Sequence, residues 1–380
     1  MMKSELTRSH LPLLALFLTL GVNAVASTTR YVNGASGNDS NNGKTSATAC
    51  KTIGRAIFYS TSGDSIVVAA GTYTENLSVG FDLSIVGANA RTTIIDGGHS
   101  STTITVGSTT AHVNLAQLTI RNGSGLSHGG GGIYNLGTLT ITNTTVSGNR
   151  SDDSIAAIGG LGGGIYNSGT LAINDTTISG NSVTRLRLTA SPYGGGVYNT
   201  GKLTIVNSTI SANQASDYWP SGVPYGGGIA NVGGTVMISN STISNNSALI
   251  HTPFGTVGTN GGGISNQGNT GVTFKNSILA YNTSGGNCKG GMRSLGFNLS
   301  SDNTCSFNGP GEQKNINPML GALLNNGGPT QTMALGSGSP AMNAGNPSGC
   351  TDGTGRSLTT DQRGVARPIS SACDIGSYQH

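Results

Sequence analysis

The chain has 380 residues, a formal net charge of +4, only 9% charged residues and 62 glycines. Glycine at this level without a Gly-X-Y period excludes collagen, and the abundance of Ile, Val and Thr argues against disorder. The basic residues are too few and too scattered to follow a phosphate backbone, so we expect no nucleic-acid partner.

The N-terminus predicts export. Lys3 and Arg8 precede a short apolar stretch at 11–20, and an Ala-x-Ala cleavage site ends at Ala26. We therefore predict a signal peptide over residues 1–26 and secretion to the extracellular space or outer surface. The apolar stretch is too short to span a bilayer, and no later stretch is long enough, so we expect no transmembrane segment.

Residues 27–100 are predicted to form an N-terminal cap and the first coils of a repeat structure. Apolar residues at helical spacing over 52–58 predict a short amphipathic helix. Such a helix would cover the open end of a strand stack, which otherwise exposes edges and core. The apolar runs at 66–68 and 83–86 predict the first strands.

Residues 101–310 are dominated by a repeat. Three glycines followed by Ile or Val recur with the apolar residue at positions 133, 165, 197, 229 and 264. Each copy continues with two more short strands, as in 139–141 and 145–147. Three such strands cannot bury an apolar face alone, so the repeats must stack. We predict an all-β fold, a single-stranded right-handed parallel β-helix with three parallel sheets.

Asparagines recur in register in the turns of this repeat. Coils stacked at about 4.8 Å would let each side-chain amide bond its neighbours. Asp175 occupies a turn position where neighbouring repeats have Asn143, Asn207 and Asn240. We interpret it as a substitution in the ladder and not as a metal ligand. The two asparagine series are Asn135, Asn167, Asn199 and Asn231, and Asn149, Asn181, Asn213 and Asn246.

The cysteines agree with an oxidising compartment. We expect two local disulfides, Cys288–Cys305 and Cys350–Cys373, with Cys50 free. The alternative is five reduced, buried thiols. Zinc-type spacing is absent from the sequence.

After about residue 311 the repeat stops, and Pro, Gly and polar turns predict an irregular cap at the opposite end, residues 311–380. The motifs at 317–321, 325–332, 360–364 and 373–378 resemble the bacterial choice-of-anchor Q module. In that group a sorting element often follows the module; this sequence ends at His380, so we expect release or non-covalent retention at the surface.

Two other parts of the chain resemble known families. The segments 31–39, 51–53 and 70–73 are similar to the entry module of pectate-lyase-like β-helix proteins. The coils with Ser-Gly-Asn endings resemble the repeats of polymorphic outer-membrane proteins. The pectate-lyase-like fold hosts lyases, hydrolases, epimerases and adhesins, so these resemblances imply the fold and leave the activity open.

A row of tyrosines is the first candidate binding site. Tyr134, Tyr166 and Tyr198 follow the inward apolar residue of each repeat and are predicted to point outward and to stack. Ala230 and Ser265 interrupt the row. It is either a self-stacking structural ladder or a platform for sugar rings.

Insertions at one corner of successive coils are the second candidate. They run over about 150–161, 182–193, 214–225 and 247–260 and are predicted to form a wall of loops. Binding residues favour loops on a rigid scaffold, although the aromatic side chains can instead pack each loop onto the coils. The candidate binding residues are Arg185, Arg187, Tyr193, Tyr218, Trp219 and Tyr225, with His251 and Phe254 nearby.

Catalytic signals are weak. A calcium-dependent lyase needs converging carboxylates, and a glycoside hydrolase needs a carboxylate pair. Asp152-Asp153 is the only acidic doublet of this kind, with His128 one coil earlier, and we interpret it as part of a solvated loop. Four charged residues near the C-terminus are interpreted as salt bridges within the irregular segment, with a charged site as the alternative: Asp361, Arg363, Arg367 and Asp374.

The sequence thus favours an extracellular or cell-surface protein for binding or adhesion without catalysis, with glycans as candidate ligands. We expect a monomer without metal or cofactor. The alternatives are a polysaccharide-active enzyme, either lyase or hydrolase, and a structural envelope protein.

Overall fold

A computed structural model describes residues 27–125, 129–152, 160–185, 191–218, 222–252, 255–258, 260–268, 271–369 and 371–380. The predicted signal peptide lies outside the described residues. Within them, three long parallel sheets run the length of the molecule, and each strand pairs with the equivalent strand of the next coil. This is the predicted right-handed parallel β-helix.

The strands fall into three sheets in a fixed order along each coil. The first sheet comprises Thr29–Val32, Asp64–Val68, Leu83–Gly87, His112–Ala116, Thr138–Thr142, Thr170–Asn174, Lys202–Val206, Thr235–Ser239, Val272–Lys275 and Arg293–Ser294. The second sheet comprises Gly71–Thr74, Thr93–Asp96, Thr119–Arg121, Thr145–Ser147, Thr177–Ser179, Thr209–Ser211, Thr242–Ser244, Ile278–Ala280, Leu299–Ser300 and Gln313–Lys314. The third sheet comprises Leu77–Val79, Ile104–Val106, Ile133–Asn135, Ile165–Asn167, Val197–Asn199, Ile229–Val232, Ile264–Gln267 and Cys288–Lys289.

The core is a column of β-branched and aliphatic side chains along the axis of the coil. In the third sheet, Ile133 pairs in register with Ile165, and Ile165 pairs with Val197; all three are fully buried. Because successive side chains of a strand point to opposite faces, the residue after each of these faces outward. The sequence repeat therefore sets both the pairing register and the core.

Both asparagine series form the predicted ladders. The Nδ2 group of Asn167 donates to Oδ1 of Asn199 at 2.7 Å, and that of Asn199 donates to Asn231 at 2.7 Å. The second series repeats the pattern at 2.9 Å, as from Asn181 to Asn213. These side chains are buried, so the ladders satisfy polar groups inside the turns.

The N-terminal end is closed by the predicted helix, Ile53–Tyr59, after a short 3-10 turn at Ser46–Thr48. The side chain of Thr52 accepts from the Arg55 amide and caps the helix. Glu75 accepts from two further helix amides, and the helix buries Ile53 against the first coil. Cys50 is free and buried beside it, as predicted.

A fourth sheet occupies the corner where the sequence predicts only inserted loops. It contains the parallel strands Arg150–Asp152, Ser182–Arg185, Gln214–Asp217 and Ser247–Thr252, and an antiparallel strand at Gly255–Gly258. Each inserted loop begins as a strand because it directly follows an asparagine of the second ladder, where neighbouring coils are already aligned residue by residue. Polar residues in these strands hide the apolar alternation that marks a strand in sequence.

The C-terminal segment, residues 311–380, lies in a different place from the predicted end cap. After Gln313–Lys314 it turns back along the outward face of the second sheet and includes a hairpin of Leu320–Leu324 with Thr332–Leu335. Thr209 of the second sheet bonds Gln362 and Ser377 of this segment. The hydroxyl-rich outward face of the second sheet offers these bonds.

Both predicted disulfides are present. Cys288–Cys305 closes the last coils, where the buried rings of Phe274 and Phe307 fill the core. Cys350–Cys373 lies inside the C-terminal segment. None of the helices among the described residues is long and apolar enough to cross a membrane.

Candidate functional site

The outward face of the fourth sheet forms a groove whose lining residues all have polar or amphipathic side chains. We call it the fourth-sheet groove; it has a volume of about 360 Å³ and is lined by Arg150, Ser151, Asp152, Ser182, Thr184 and Tyr218. Parallel pairing sets Arg150 beside Ser182 and Asp152 beside Thr184. Each charged residue thus lies one strand spacing of about 4.8 Å from a hydroxyl residue of the next coil.

An aromatic side chain borders this groove. Tyr218 is 55% exposed, and its ring stacks on the His251 ring at a centroid distance of 4.2 Å with an interplanar angle of 9°. The stacking holds the phenol ring in place while one face stays accessible. A fixed aromatic face beside polar groups suits a ligand with both apolar and hydroxyl surfaces, such as a sugar.

Three of the predicted loop residues lie outside the described residues: Arg187, Trp219 and Phe254. Arg185 is described, and it is not on the surface. Its guanidinium forms an ion pair with Asp217 at 3.2 Å, and the two side chains are 4% and 0% exposed. The prediction that Arg185 contacts a ligand is therefore wrong, because its guanidinium is buried inside the fourth sheet and pairs there with Asp217.

The tyrosine row has the predicted stacked geometry. The ring centroids of Tyr134 and Tyr166 are 4.7 Å apart, and those of Tyr166 and Tyr198 are 5.3 Å apart. All three side chains are half-buried, and burial raises the pKa of Tyr198 to about 12. Because each inner ring covers the face of its neighbour, the row presents mainly edges and hydroxyls, which favours the structural-ladder interpretation over a sugar platform.

Tyr193 and Tyr225 extend this aromatic surface. Their rings stack at 4.9 Å, and Tyr193 meets Tyr198 edge-on at 5.9 Å. The two residues pair through isolated bridges at the return from the inserted loops. They join the tyrosine row to the corner of the fourth sheet and pack those loops onto the coils.

The charged residues of the C-terminal segment form a buried network. Arg363 pairs with Asp361 at 2.7 Å, and Arg367 donates to the carbonyl of Gly376 at 2.7 Å. Burial lowers the pKa of Arg367 to about 10, against the opposing effect of nearby carboxylates. Asp374 accepts from the His380 amide and ring. The predicted salt bridge is present between Asp361 and Arg363, whereas Arg367 donates to uncharged acceptors and Asp374 pairs with His380.

Asp175 is part of the same region. Burial raises its pKa to about 6, and Asp361 adds to the shift, while a hydrogen bond from Asn207 and the charge of Arg367 oppose it. Its backbone φ of 49° matches that of Asn240, in agreement with its place in the ladder.

No group of three or more His, Cys, Asp or Glu side chains that could hold a metal occurs among the described residues. Two residues of the weak catalytic motif, His128 and Asp153, lie outside those residues. Asp152 is described and lines the fourth-sheet groove.

Sequence reasoning missed Arg150, Ser182 and Thr184 as groove residues, because it treated 150–161 and 182–193 as irregular loops. A signal was present. Each segment directly follows an asparagine of the second ladder and alternates polar and small or apolar residues for at least three positions.

No protein-family model and no curated protein matches the chain. Among solved structures it is similar to one titled "Crystal structure of pectate lyase Pel9A", with 13% identity, 93% of this chain and 98% of that chain covered, and a TM-score of 0.48. It is also similar to "Pectin methylesterase PemA from Erwinia chrysanthemi", with 16% identity, 67% and 80% covered, and a TM-score of 0.32. At these identities the likeness concerns the fold alone.

Proposed function

We propose that the protein is a secreted β-helix that binds polysaccharide in the fourth-sheet groove without cleaving it. The observation that carries the proposal is the juxtaposition of Tyr218, fixed by His251, with a floor of charged and hydroxyl side chains. Sugars offer an apolar ring face and a rim of hydroxyls, and this groove has a partner for each.

The direction of the groove supports a polymeric ligand. The polar groups of its floor come from two successive coils, so the groove crosses from coil to coil along the axis of the β-helix. A linear chain of similar units can make equivalent contacts with several coils, and its affinity is then the sum of several weak contacts. The two disulfides support secretion, because they persist in oxidising compartments.

The test is a binding assay of the secreted chain against a panel of plant and bacterial polysaccharides. We expect Tyr218→Ala and Arg150→Gln each to weaken binding about tenfold, the effect of losing one stacking or charge-assisted contact. Phe58→Ala is the matched control, since Phe58 is 72% exposed on the N-terminal helix, far along the stack from the groove. Equal losses in all three variants would contradict the proposed site.

The same panel distinguishes binding from catalysis. Release of new reducing ends, measured with and without calcium, is expected to stay at the level of the blank. Release that disappears in Asp152→Asn would overturn the non-catalytic proposal and assign the groove to a polysaccharide-active enzyme.

A further inference from the structure

The edge of the C-terminal segment creates another cavity, on the outward face of the second sheet. The segment buries the outward hydroxyls of the second sheet at Thr177 and Thr209, whereas Thr119 and Thr145 of the preceding coils stay half-buried. A cavity of about 260 Å³ lies at this boundary. We call it the boundary cavity; its walls come from parts of the chain some two hundred residues apart.

The boundary cavity is rich in hydrogen-bond donors. Among the described residues that line it are two guanidinium groups, four hydroxyls and two side-chain amides, and none of these lining residues has a carboxylate. Arg121 and Ser147 lie side by side in neighbouring strands on its floor. Arg91 and Gln331 lie on its walls.

Hydrogen bonds hold the two arginines in place, and only one of the two positive charges is paired with a carboxylate. Arg121 is 40% exposed and uses Nε to donate to Asp96 at 2.8 Å. Asp96 also accepts from Asn122 and the Gly98 amide, so its position does not depend on Arg121 alone. Arg91 instead donates to uncharged acceptors of the C-terminal segment, including the Gly328 carbonyl at 2.6 Å. The pair of arginines therefore faces one carboxylate, and a positive charge remains.

The wall contributed by the C-terminal segment is rigidly attached. The main-chain carbonyl of Gln331 accepts from Thr177 at 2.6 Å and from Gln362 at 3.1 Å. Gln362 also donates to Thr330 at 3.0 Å. A ligand that enters the boundary cavity meets groups already in position and does not have to order them.

We propose that the boundary cavity binds an acidic sugar, with the acid group on Arg121 and Arg91 and the sugar hydroxyls on Thr145, Ser147 and Gln331. Guanidinium groups pair with carboxylate or sulfate oxygens in a two-pronged geometry, and hydroxyl and amide groups suit sugar hydroxyls. The site is separate from the fourth-sheet groove and exists only while the C-terminal segment is docked.

The test is calorimetric titration of the secreted chain with four probes: a uronic-acid trisaccharide, a sulfated trisaccharide, the neutral trisaccharide and inorganic sulfate. We expect the two acidic sugars to bind, with the tighter of them identifying the acid group. Their affinity should fall as salt rises from 50 to 500 mM, because the guanidinium groups are partly exposed. Hydrogen-exchange protection is expected over 119–121, 145–147 and 325–331.

Arg121→Gln should weaken binding of the acidic sugars about tenfold or more. Arg121→Lys should retain part of the affinity, because the ammonium keeps the positive charge but cannot form the bidentate pair that a guanidinium forms with an acid group. Arg293→Gln, an exposed arginine near the far end of the first sheet, is the matched control. Tyr218→Ala should leave this binding unchanged, which separates this site from the groove. Equal binding of the neutral sugar, equal binding of inorganic sulfate, or no effect of Arg121→Gln would each overturn the proposal.

Discussion

At the residue scale, Asp175 is a carboxylate in a ladder of amides. Asn143, Asp175 and Asn207 have φ values of 48°, 49° and 47°, in the left-handed region that Asn and Asp tolerate best. An asparagine amide at this position is neutral when buried. Ionised Asp175, by contrast, is a buried charge that lies near the carboxylate of Asp361. The protein therefore keeps at this position a group whose ionised form is destabilised by burial.

Asp175→Asn is expected to stabilise the protein at pH 7–8 and to have little effect near pH 4. The pKa of Asp175 is about 6 in the folded state and close to 3.8 when unfolded, so the folded state binds the proton more tightly. Stability from this group is therefore fully present below pH 4 and is lost as the pH rises through 6, by about 2–3 kcal/mol. Chemical denaturation of both proteins across pH 4–8 measures it; a pH-independent difference would contradict the assignment.

Asn199→Ala should lower the free energy of unfolding by about 2–4 kcal/mol. Asn199 accepts from Asn167 and donates to Asn231, so the substitution removes both hydrogen bonds at a fully buried position of the ladder. Asn114→Ala is the control, since Asn114 is only half-buried and bonds a surface hydroxyl, Ser84. Urea denaturation should separate the two variants clearly.

At the element scale, the fourth sheet contains a buried ion pair that replaces an apolar core. Its inward positions begin with small or apolar side chains, such as Val183 and Ala215, and end with Arg185 and Asp217. Sequence periodicity locates the three main sheets because their inward residues are almost all Ile, Leu or Val. It fails for the fourth sheet because buried charges look like surface residues in sequence.

Asp217→Leu is expected to destabilise the protein by about 3 kcal/mol, because it leaves the Arg185 guanidinium buried without its carboxylate partner. The double variant Arg185→Met/Asp217→Leu should recover most of that loss, since an apolar pair of similar volume can replace a buried ion pair. A double-mutant cycle in guanidinium chloride measures the coupling. Additive losses would show that the two side chains act independently.

At the scale of the whole molecule, the repeat spacing and the glycine and asparagine pattern predict the coil and its register, and apolar residues at helical spacing predict the N-terminal helix. The location of the C-terminal segment could not be predicted. Its contacts, such as Asn207 with the Thr360 carbonyl and Asn240 with the Thr351 carbonyl, join positions more than a hundred residues apart that share no repeat. The boundary cavity depends on this docking, so it too is invisible in the sequence.

Removing Cys350–Cys373 by substitution with serine should loosen the C-terminal segment and leave the coils folded. The disulfide closes a loop with a sequence separation of 23, and its loss should cost about 3 kcal/mol. We expect trypsin to cleave after Arg363, which is followed by glycine and whose side chain is only 9% exposed in the native protein, much faster than in the wild type. Serine substitution of Cys288 and Cys305 is the control; equal cleavage there would contradict a local effect.

The docked C-terminal segment also has a consequence for how this molecule can evolve. Most repeat proteins gain or lose whole repeats without disturbing the rest, because each repeat contacts only its neighbours. Here the C-terminal segment is hydrogen-bonded to Arg91 through Gly328 near its start and to Thr242 through Ser377 near its end. Inserting or deleting a coil between them would shift the two anchor points by about 4.8 Å relative to each other. The docked C-terminal segment therefore fixes the number of coils between its two points of attachment.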